Sequence, residues 1–253
     1  MKVKSILVSQ PKPKNEKSPY FELAKKYNLK IDFRPFIQVE GISAKEFRQY
    51  RINIAEFSAI IFTSRTAIDH FFRIVDKMKI EIPGTMKYFC ISESISFYLQ
   101  KYIVYRKRKI FYGNRKFIEL LEIIKKFPDE KFLLPVSDIH KQEIPNLLKK
   151  EKLNFKKVVM YRTVSSDLSD LSDVNYDMLV FFSPSGIKSL LQNFPDFKQN
   201  NTLIASFGPT TAKAVIKAGL KLDLPAPQPN APSMTMVIEN FLKKEKKLAK
   251  KKK

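Results

Sequence analysis

A strand that ends in a hydroxyl-rich turn, followed at once by a helix, recurs through this sequence and constrains its fold more than any other feature. Residues 60–68 and 179–187, which lie 119 positions apart, both contain an apolar run, then serine or threonine, then a helical pattern. A similar unit follows each of them, at residues 89–96 and 205–212. Apolar strands that alternate with helices indicate parallel sheets covered by helices on both faces. We therefore predict an α/β fold with two similar lobes, each a parallel sheet flanked by helices.

Two extended segments without a helical pattern indicate where the lobes join. They cover residues 31–40 and 157–164, and the polar, turn-rich stretch 165–173 follows the second. If both segments cross between the lobes, they form a two-stranded connector and a cleft opens beside it. The predicted boundaries are a discontinuous lobe of residues 1–35 plus 165–253, a continuous lobe of residues 41–160, and inter-lobe connectors at 36–40 and 161–164.

Composition excludes several classes of protein. The 253 residues are 44% hydrophobic and 28% charged, which is typical of a soluble globular chain. The longest apolar runs, such as 178–182, are far shorter than the roughly 20 residues that a membrane helix needs. The amino-terminal apolar patch is too short for a signal peptide, so we expect a cytoplasmic protein that does not enter a membrane.

The sequence also lacks the usual signatures of metal and nucleotide binding. Cys90 is the single cysteine, and with His70 and His140 it makes no ligand set for structural zinc. The six glycines form neither a dinucleotide-binding fingerprint nor a P-loop. We therefore expect no metal, and the standard nucleotide cofactors are disfavoured.

Net charge is the compositional outlier. The chain carries +22, and residues 243–253, with eight lysines and one glutamate, account for +7 of it, so the remainder carries +15. This balance favours a polyanionic partner: a nucleic acid, an acidic membrane surface or a small molecule with many acid groups. We interpret the basic tail at 243–253 as the solvated end of a helix, without chemistry of its own.

The hydroxyl turns are the candidate binding sites. In parallel α/β sheets, ligands bind beyond the carboxyl ends of the strands, where helix N-termini attract carboxylates and phosphates. For each turn the alternative is a purely structural N-cap, since serine and threonine are preferred there. The turns contain Thr63 and Ser64, Ser92 and Ser94, Ser183 and Ser185, and the run Gly208, Pro209, Thr210 and Thr211.

A tyrosine and two histidines are the other side chains that could carry chemistry. Tyr161 ends a strand-like segment in a candidate connector, where its phenol is able to face the cleft as a hydrogen-bond donor or acid; a packing role is the alternative. His70 lies in a predicted helix and His140 in a loop, and no Ser or Cys nucleophile stands at a recognisable spacing from either. We expect both histidines to be solvent-facing or locally bonded.

Five motifs in a fixed order resemble one known family. They are Pro-Phe-Ile at 35–37, Phe-Thr-Ser at 62–64, Tyr-Arg-Thr at 161–163, Phe-Phe-Ser-Pro-Ser-Gly at 181–186 and Phe-Gly-Pro-Thr-Thr-Ala-Lys-Ala at 207–214. Together they are similar to the uroporphyrinogen-III synthase family over nearly the whole chain except the lysine tail. The resemblance implies a bilobal enzyme of haem biosynthesis that uses no cofactor. Its substrate is hydroxymethylbilane, a linear tetrapyrrole with eight carboxylates, which is cyclised with inversion of ring D and loss of water.

The resemblance also implies roles for particular residues. Tyr161 corresponds to the cleft tyrosine of the family and is the candidate catalytic residue, assisting departure of the substrate hydroxyl. Relatives commonly carry Arg-Pro where this chain has Gln10-Pro11. The candidates to supply the missing positive charge are Arg65, Arg162 and Lys213. The implied substrate-binding residues are Thr63, Ser64, Ser94, Ser183, Ser185, Gly208, Pro209, Thr210 and Thr211.

Two other functions remain as alternatives. One is a non-catalytic bilobal binder of a polyanionic small molecule, which would share the lobes and the hydroxyl turns but would not need Tyr161. The other is a nucleic-acid binder, against which stand the core-like placement of the aromatic residues and the lack of a recognisable nucleic-acid motif. We expect a small-molecule substrate, no nucleic acid and a monomer, and leave open a transient contact with the upstream synthase.

Overall fold

The structure is a computed structural model that describes residues 3–140, 142–171 and 175–251. Within these ranges it contains eleven strands and nine α-helices. The chain divides into two compact units. The split unit comprises Met1–Gln38 and Val164–Lys253, and the central unit comprises Val39–Thr163.

The elements follow one another in the predicted alternation. In chain order the strands are β1 (Ser5–Val8), β2 (Lys30–Phe33), β3 (Ile37–Gly41), β4 (Ala59–Phe62), β5 (Lys87–Cys90), β6 (Ile110–Tyr112), β7 (Phe132–Ser137), β8 (Phe155–Ser165), β9 (Met178–Phe181), β10 (Leu203–Phe207) and β11 (Leu224–Ala226). The helices are α1 (Pro19–Tyr27), α2 (Ala44–Gln49), α3 (Arg65–Lys77), α4 (Glu93–Tyr98), α5 (Phe117–Ile124), α6 (Glu143–Lys150), α7 (Pro184–Asn193), α8 (Pro209–Lys217) and α9 (Met234–Lys251).

The split unit contains a five-stranded sheet in the order β11-β10-β9-β1-β2, with parallel pairing along it. All four residues of the central strand β9 are buried, because helices pack on both faces. Ile6 and Val180 belong to the apolar cluster on one face, and Leu7 and Leu179 to the cluster on the other. Successive side chains of these apolar strands therefore pack on opposite faces, which confirms the predicted parallel sheet covered by helices on both faces.

The central unit contains a six-stranded sheet in the order β3-β8-β7-β4-β5-β6. The strands from β8 to β6 pair in parallel, and all four residues of β4 are buried. Helix α3 packs on one face through buried residues spaced three and four apart, including Ala67, Phe71 and Ile74. Helix α5 packs on the other face through Leu120 and Ile124.

The chain passes between the two units within β3 and again within β8. These two strands are hydrogen-bonded neighbours in the six-stranded sheet. The segments expected as connectors at 36–40 and 161–164 therefore lie largely within strands, and Tyr161 belongs to the central unit.

The buried side chains of helix α9 lie in its first half. Met234, Val237, Ile238 and Leu242 are buried there. From residue 243 to residue 248 no described side chain is buried, as expected for a basic helical end in solvent. Throughout the described ranges, no helix combines the length and the apolar character needed to cross a bilayer.

Candidate functional site

The turn between β4 and α3 positions Thr63 and Ser64 at the carboxyl end of a central strand. Ser64 is the N-cap of α3 and its Oγ accepts a hydrogen bond from the N–H of Ala67 at 3.0 Å. Both hydroxyl residues are half-buried. The structure therefore has the strand, turn and helix that the sequence predicts here. Ser64 also forms the structural N-cap that was the alternative to ligand binding.

A β-bulge places Tyr161 beside this turn. Val136 of β7 pairs with Val159 of β8, but the next residue, Ser137, pairs with Tyr161, so Met160 is the extra residue. Met160 and Tyr161 consequently both pack against the apolar cluster that contains α3, although they are consecutive in a strand. The Oη of Tyr161 lies 3.4 Å from the Oγ of Ser64.

Thr63 and Tyr161 line a shared cavity of about 160 Å³ in the central unit. The remaining lining residues are Leu134, Val136, Ser137, Ile139, His140, Ile144 and Pro145. His140 donates from Nδ1 to the carbonyl oxygen of Ser137 at 2.7 Å, so it is locally bonded as predicted. The cavity is mostly apolar with a few polar groups at its wall, an arrangement typical of ligand pockets.

His70 also contacts Tyr161, which sequence reasoning did not find. The two rings are stacked, with centroids 5.2 Å apart and an angle of 22° between their planes. Nδ1 of His70 accepts a hydrogen bond from Nε of Arg73 at 3.3 Å, the local bond that was expected. Burial, with a smaller contribution from the positive charge of Arg73, lowers the pKa of His70. No signal in the sequence pairs this helix position with residue 161.

Ser94 lies at a different cavity of the central unit. Ser92 is the buried N-cap of α4, and its Oγ is 3.1 Å from the Oγ of the exposed Ser94. The cavity has a volume of about 480 Å³ and is also lined by Tyr112 and Arg115. Arg115, which the sequence did not single out, is a positively charged side chain close to Ser94.

In the split unit, the turn between β9 and α7 repeats the arrangement at Ser64. Ser183 is the N-cap of α7 and its Oγ accepts from the N–H of Gly186 at 3.2 Å. Pro184 and Ser185 follow in the first turn. A Cβ at position 186 would lie 3.3 Å from the ring of Phe181, so glycine lets the helix begin close to the strand.

The turn between β10 and α8 begins at Gly208. Its φ of 86° is in the left-handed region, which favours glycine, and Pro209 is the first helical residue as predicted. Thr210 is exposed, whereas Thr211 is only 1% exposed. Thr211 as a whole is therefore withdrawn from solvent, and the structure does not support its predicted contact with a ligand.

The comparison with known families identifies the family of this chain. Residues 18–236 match the family model described as uroporphyrinogen-III synthase HemD. The chain belongs to the uroporphyrinogen-III synthase family. This confirms the resemblance drawn from the five motifs.

Individual relatives agree with the family assignment. The uroporphyrinogen-III synthase of Saccharomyces cerevisiae is 30% identical over 134 residues, a match that spans about half of each protein: 47% of this chain and 48% of the yeast one. The crystal structure of uroporphyrinogen-III synthetase from Helicobacter pylori matches with a TM-score of 0.58 and 18% identity, covering 95% of this chain and 99% of that one. The crystal structure of a mutant uroporphyrinogen III synthase from Thermus thermophilus matches with a TM-score of 0.51 and 13% identity. That match covers 96% of this chain and 99% of the other one. These two structures support the α/β fold.

The resemblance implied three candidates for the positive charge that is missing at Gln10, and they differ in their surroundings. Arg162 forms an ion pair with Glu46, with 2.6 Å between Nη2 and Oε1. The guanidinium of Arg65 lies over the ring of Tyr98, 5.2 Å from its centroid. Lys213 is exposed on α8, three residues after Thr210. Arg162 is therefore the least available of the three for an anionic ligand.

Proposed function

We propose that this protein is an active uroporphyrinogen-III synthase, which cyclises hydroxymethylbilane with inversion of ring D and loss of water. Membership of the family supports the reaction class. The observation that carries the assignment to this chain is the meeting of Tyr161, Ser64 and Thr63 at the carboxyl end of β4. A non-catalytic binder would not require a phenol at this position.

In the proposed reaction, Tyr161 assists departure of the substrate hydroxyl. The phenol O–H donates its proton as the carbon–oxygen bond breaks, so that water leaves and the substrate becomes an azafulvene cation. The substituted carbon of ring D, an electron-rich pyrrole carbon, attacks this cation to give a spiro intermediate, which rearranges and closes the macrocycle. The proton that ring closure releases restores the phenol, and the only net product besides the macrocycle is water.

The neighbours of Tyr161 favour this role. The N–H of Ala67, at the positive end of α3, donates to the Oγ of Ser64. Ser64 is then able to donate its own proton to Oη of Tyr161, which leaves the phenol proton free for the substrate. The 3.4 Å separation between these hydroxyls is long for such a bond, as is common in catalytic sites without substrate.

The substrate-binding groups follow from the charge of hydroxymethylbilane. We propose that its carboxylate arms bind helix N-termini, with Thr63, Ser64 and Ser94 contributing in the central unit. In the split unit the contributing residues are Ser183, Ser185, Gly208, Pro209 and Thr210. The net charge of +15 outside the tail attracts such a substrate. Holding the chain folded is the main task, because uncatalysed closure gives the uninverted type I isomer.

Isomer analysis tests the proposal. The protein is incubated with enzymatically generated hydroxymethylbilane, the products are oxidised, and the porphyrin isomers are separated. Type III product, formed well above the rate of the blank, is the expected result. Type I product alone, at the blank rate, would overturn the proposal; if the substrate nevertheless binds, the polyanion binder replaces it.

Several expectations remain predictions from the sequence. They are the cytoplasmic location, the monomeric state, the absence of a cofactor, the transient contact with the upstream synthase, and the cleft shared by both sets of binding residues. Among the described residues, no three His, Cys, Asp or Glu side chains are grouped as a metal site requires.

A further inference from the structure

We propose that His70 is a positioning residue for Tyr161, and that Gly41 and Arg73 hold His70 in place. This deepens the proposed function, since it assumes that the orientation of the Tyr161 phenol matters for turnover. All four residues belong to the central unit. They come from three elements, namely β3, α3 and β8.

The stack on His70 restrains the Tyr161 ring more than the contact with Ser64 does. Its centroid distance of 5.2 Å lies within the range of favourable aromatic pairs. The contact between Oη of Tyr161 and Oγ of Ser64, at 3.4 Å, is too long to fix the ring by itself. The face of His70, together with the apolar cluster that Tyr161 packs against, therefore restrains the plane of the ring, and Ser64 contacts only its hydroxyl.

Arg73 fixes both the orientation and the tautomer of His70. Its Nε donates to Nδ1 of His70 at 3.3 Å, so Nδ1 is an acceptor and the ring proton resides on Nε2. Its Nη2 donates to the carbonyl oxygen of Ile42 at 2.6 Å, which anchors the guanidinium next to the end of β3. The low pKa of His70 agrees with a neutral ring in this position.

Gly41 supplies the space that this arrangement needs. A Cβ at position 41 would lie 2.5 Å from Nδ1 of His70 and 2.4 Å from Nη2 of Arg73. The backbone of Gly41 is not in the left-handed region, so glycine is needed here for space rather than for its conformation. Any larger residue at this position would displace both side chains.

His70 acts through Tyr161 and not on the substrate. It is half-buried, and the cavity that Thr63 and Tyr161 line does not include it. Its ring stacks on the Tyr161 ring and restrains the orientation of that ring. The role is therefore one of orientation, for which displacements of about 1 Å cost up to roughly 100-fold in rate.

Histidine NMR tests the stack without any substrate. The chain has two histidines, and His140→Asn assigns their signals. The ring protons of His70 should be shifted upfield by the Tyr161 ring, and the Nε2–H tautomer should predominate. Tyr161→Leu should abolish the shift, whereas Tyr50→Leu, at an exposed position, should leave it. An unchanged His70 spectrum in Tyr161→Leu overturns the proposal.

The kinetics of glycine variants test whether the space at Gly41 matters for turnover. Gly41→Ala should lower kcat by about 10-fold with KM within about 2-fold, because the phenol is misplaced while the arm-binding groups are intact. Gly84→Ala is the matched control, since a Cβ at position 84 meets no atom within 4 Å, and it should match the parent. A Gly41→Ala enzyme with the turnover of the parent contradicts the proposal.

His70 variants give a second route if Gly41→Ala folds poorly. His70→Phe keeps an aromatic face and should retain kcat within about 3-fold, while His70→Ala should lose about 10-fold. Equal turnover of the two variants contradicts a role in stacking. If the parent forms no type III isomer, the proposed function fails, but the NMR result still decides whether the stack exists.

Discussion

The hydroxyls of Tyr161 and Ser64 lie 3.4 Å apart although the residues are separated by 97 positions in the chain. The same Ser64 oxygen accepts from the N–H of Ala67 and caps α3. The structural and the functional interpretation of this turn are therefore not exclusive, because one side chain serves both. The helix that begins after Ser64 also contains His70, whose ring stacks on the ring of Tyr161.

Replacing Tyr161 by phenylalanine should slow turnover more than it weakens binding. The ring and its stack on His70 are kept, but the proton donor is lost, so we expect kcat to fall by about 10-fold or more with a small change in KM. Steady-state rates of type III formation measure this. Tyr50→Phe, at an exposed position of the same unit, is the control. Unchanged turnover would remove Tyr161 from the mechanism.

Two variants of Ser64 separate the cap from the catalytic contact. Ser64→Ala loses the cap and the contact with Tyr161. It should therefore lower the free energy of unfolding by about 1 kcal/mol and should also lower kcat. Ser64→Asn keeps a good N-cap but not the hydroxyl, so its stability should stay near that of the parent while kcat falls. Urea unfolding and isomer kinetics report the two quantities. Full activity in Ser64→Asn would show that the serine is only a cap.

Stability should depend on the protonation of His70. Burial and the charge of Arg73 hold its pKa below the ordinary 6.5, so the folded protein binds this proton less readily than the unfolded chain. The contribution of His70 to stability is therefore complete above pH 6.5 and decreases as the pH falls below it. Urea unfolding at about pH 7.5 and about pH 5.5 should show a larger loss for the parent than for His70→Phe, which does not titrate. Equal losses would contradict this assignment.

The adjacent threonines of α8 should respond differently to substitution. Thr210→Val, at an exposed position, should raise KM by a few-fold without a change in stability, since one hydroxyl contact to a carboxylate is removed. Thr211→Ser removes a buried methyl group and should lower the free energy of unfolding by about 1 kcal/mol with KM unchanged. Thermal unfolding and steady-state kinetics distinguish the two. The reverse pattern would exclude Thr210 from the binding site.

Removal of residues 243–253 should leave the rate and the isomer unchanged. The truncation breaks a partly exposed ion pair between Lys243 and Glu239 and takes Lys246 away from the ring of Tyr27, and each interaction contributes at most about 1 kcal/mol. The buried half of α9 ends at Leu242 and is retained. A large loss of activity would show that the basic tail takes part in catalysis or substrate capture.

The local features of this fold were predictable because they depend on neighbouring residues. Continuous apolar runs identified the buried strands β4 and β9, and the hydroxyl residues after them identified the starts of α3 and α7. The glycine and proline at 208 and 209 predicted how α8 begins. Capping and strand burial follow rules that operate over a few residues, so one sequence was sufficient.

The contacts around Tyr161 were not predictable in this way. The bulge at Met160 turns Tyr161 towards α3, and nothing in the residues 157–164 marks it. His70 was expected to be solvent-facing or locally bonded, since its helix position gives no sign of the ring across from it. The clash that would follow from a Cβ at Gly41 is likewise visible only in three dimensions.

The amino-acid sequence by itself determined the order of strands and helices, the hydroxyl-rich helix starts, the strongly positive charge and membership of the family. Only the tertiary structure decided that Ser64, His70 and Gly41 converge on Tyr161 and its neighbours, and that Thr211 is withdrawn from solvent. The physical reason is that strand register and a single bulge set these contacts. Both depend on the packing of whole elements that are distant in the chain, and no local pattern encodes them.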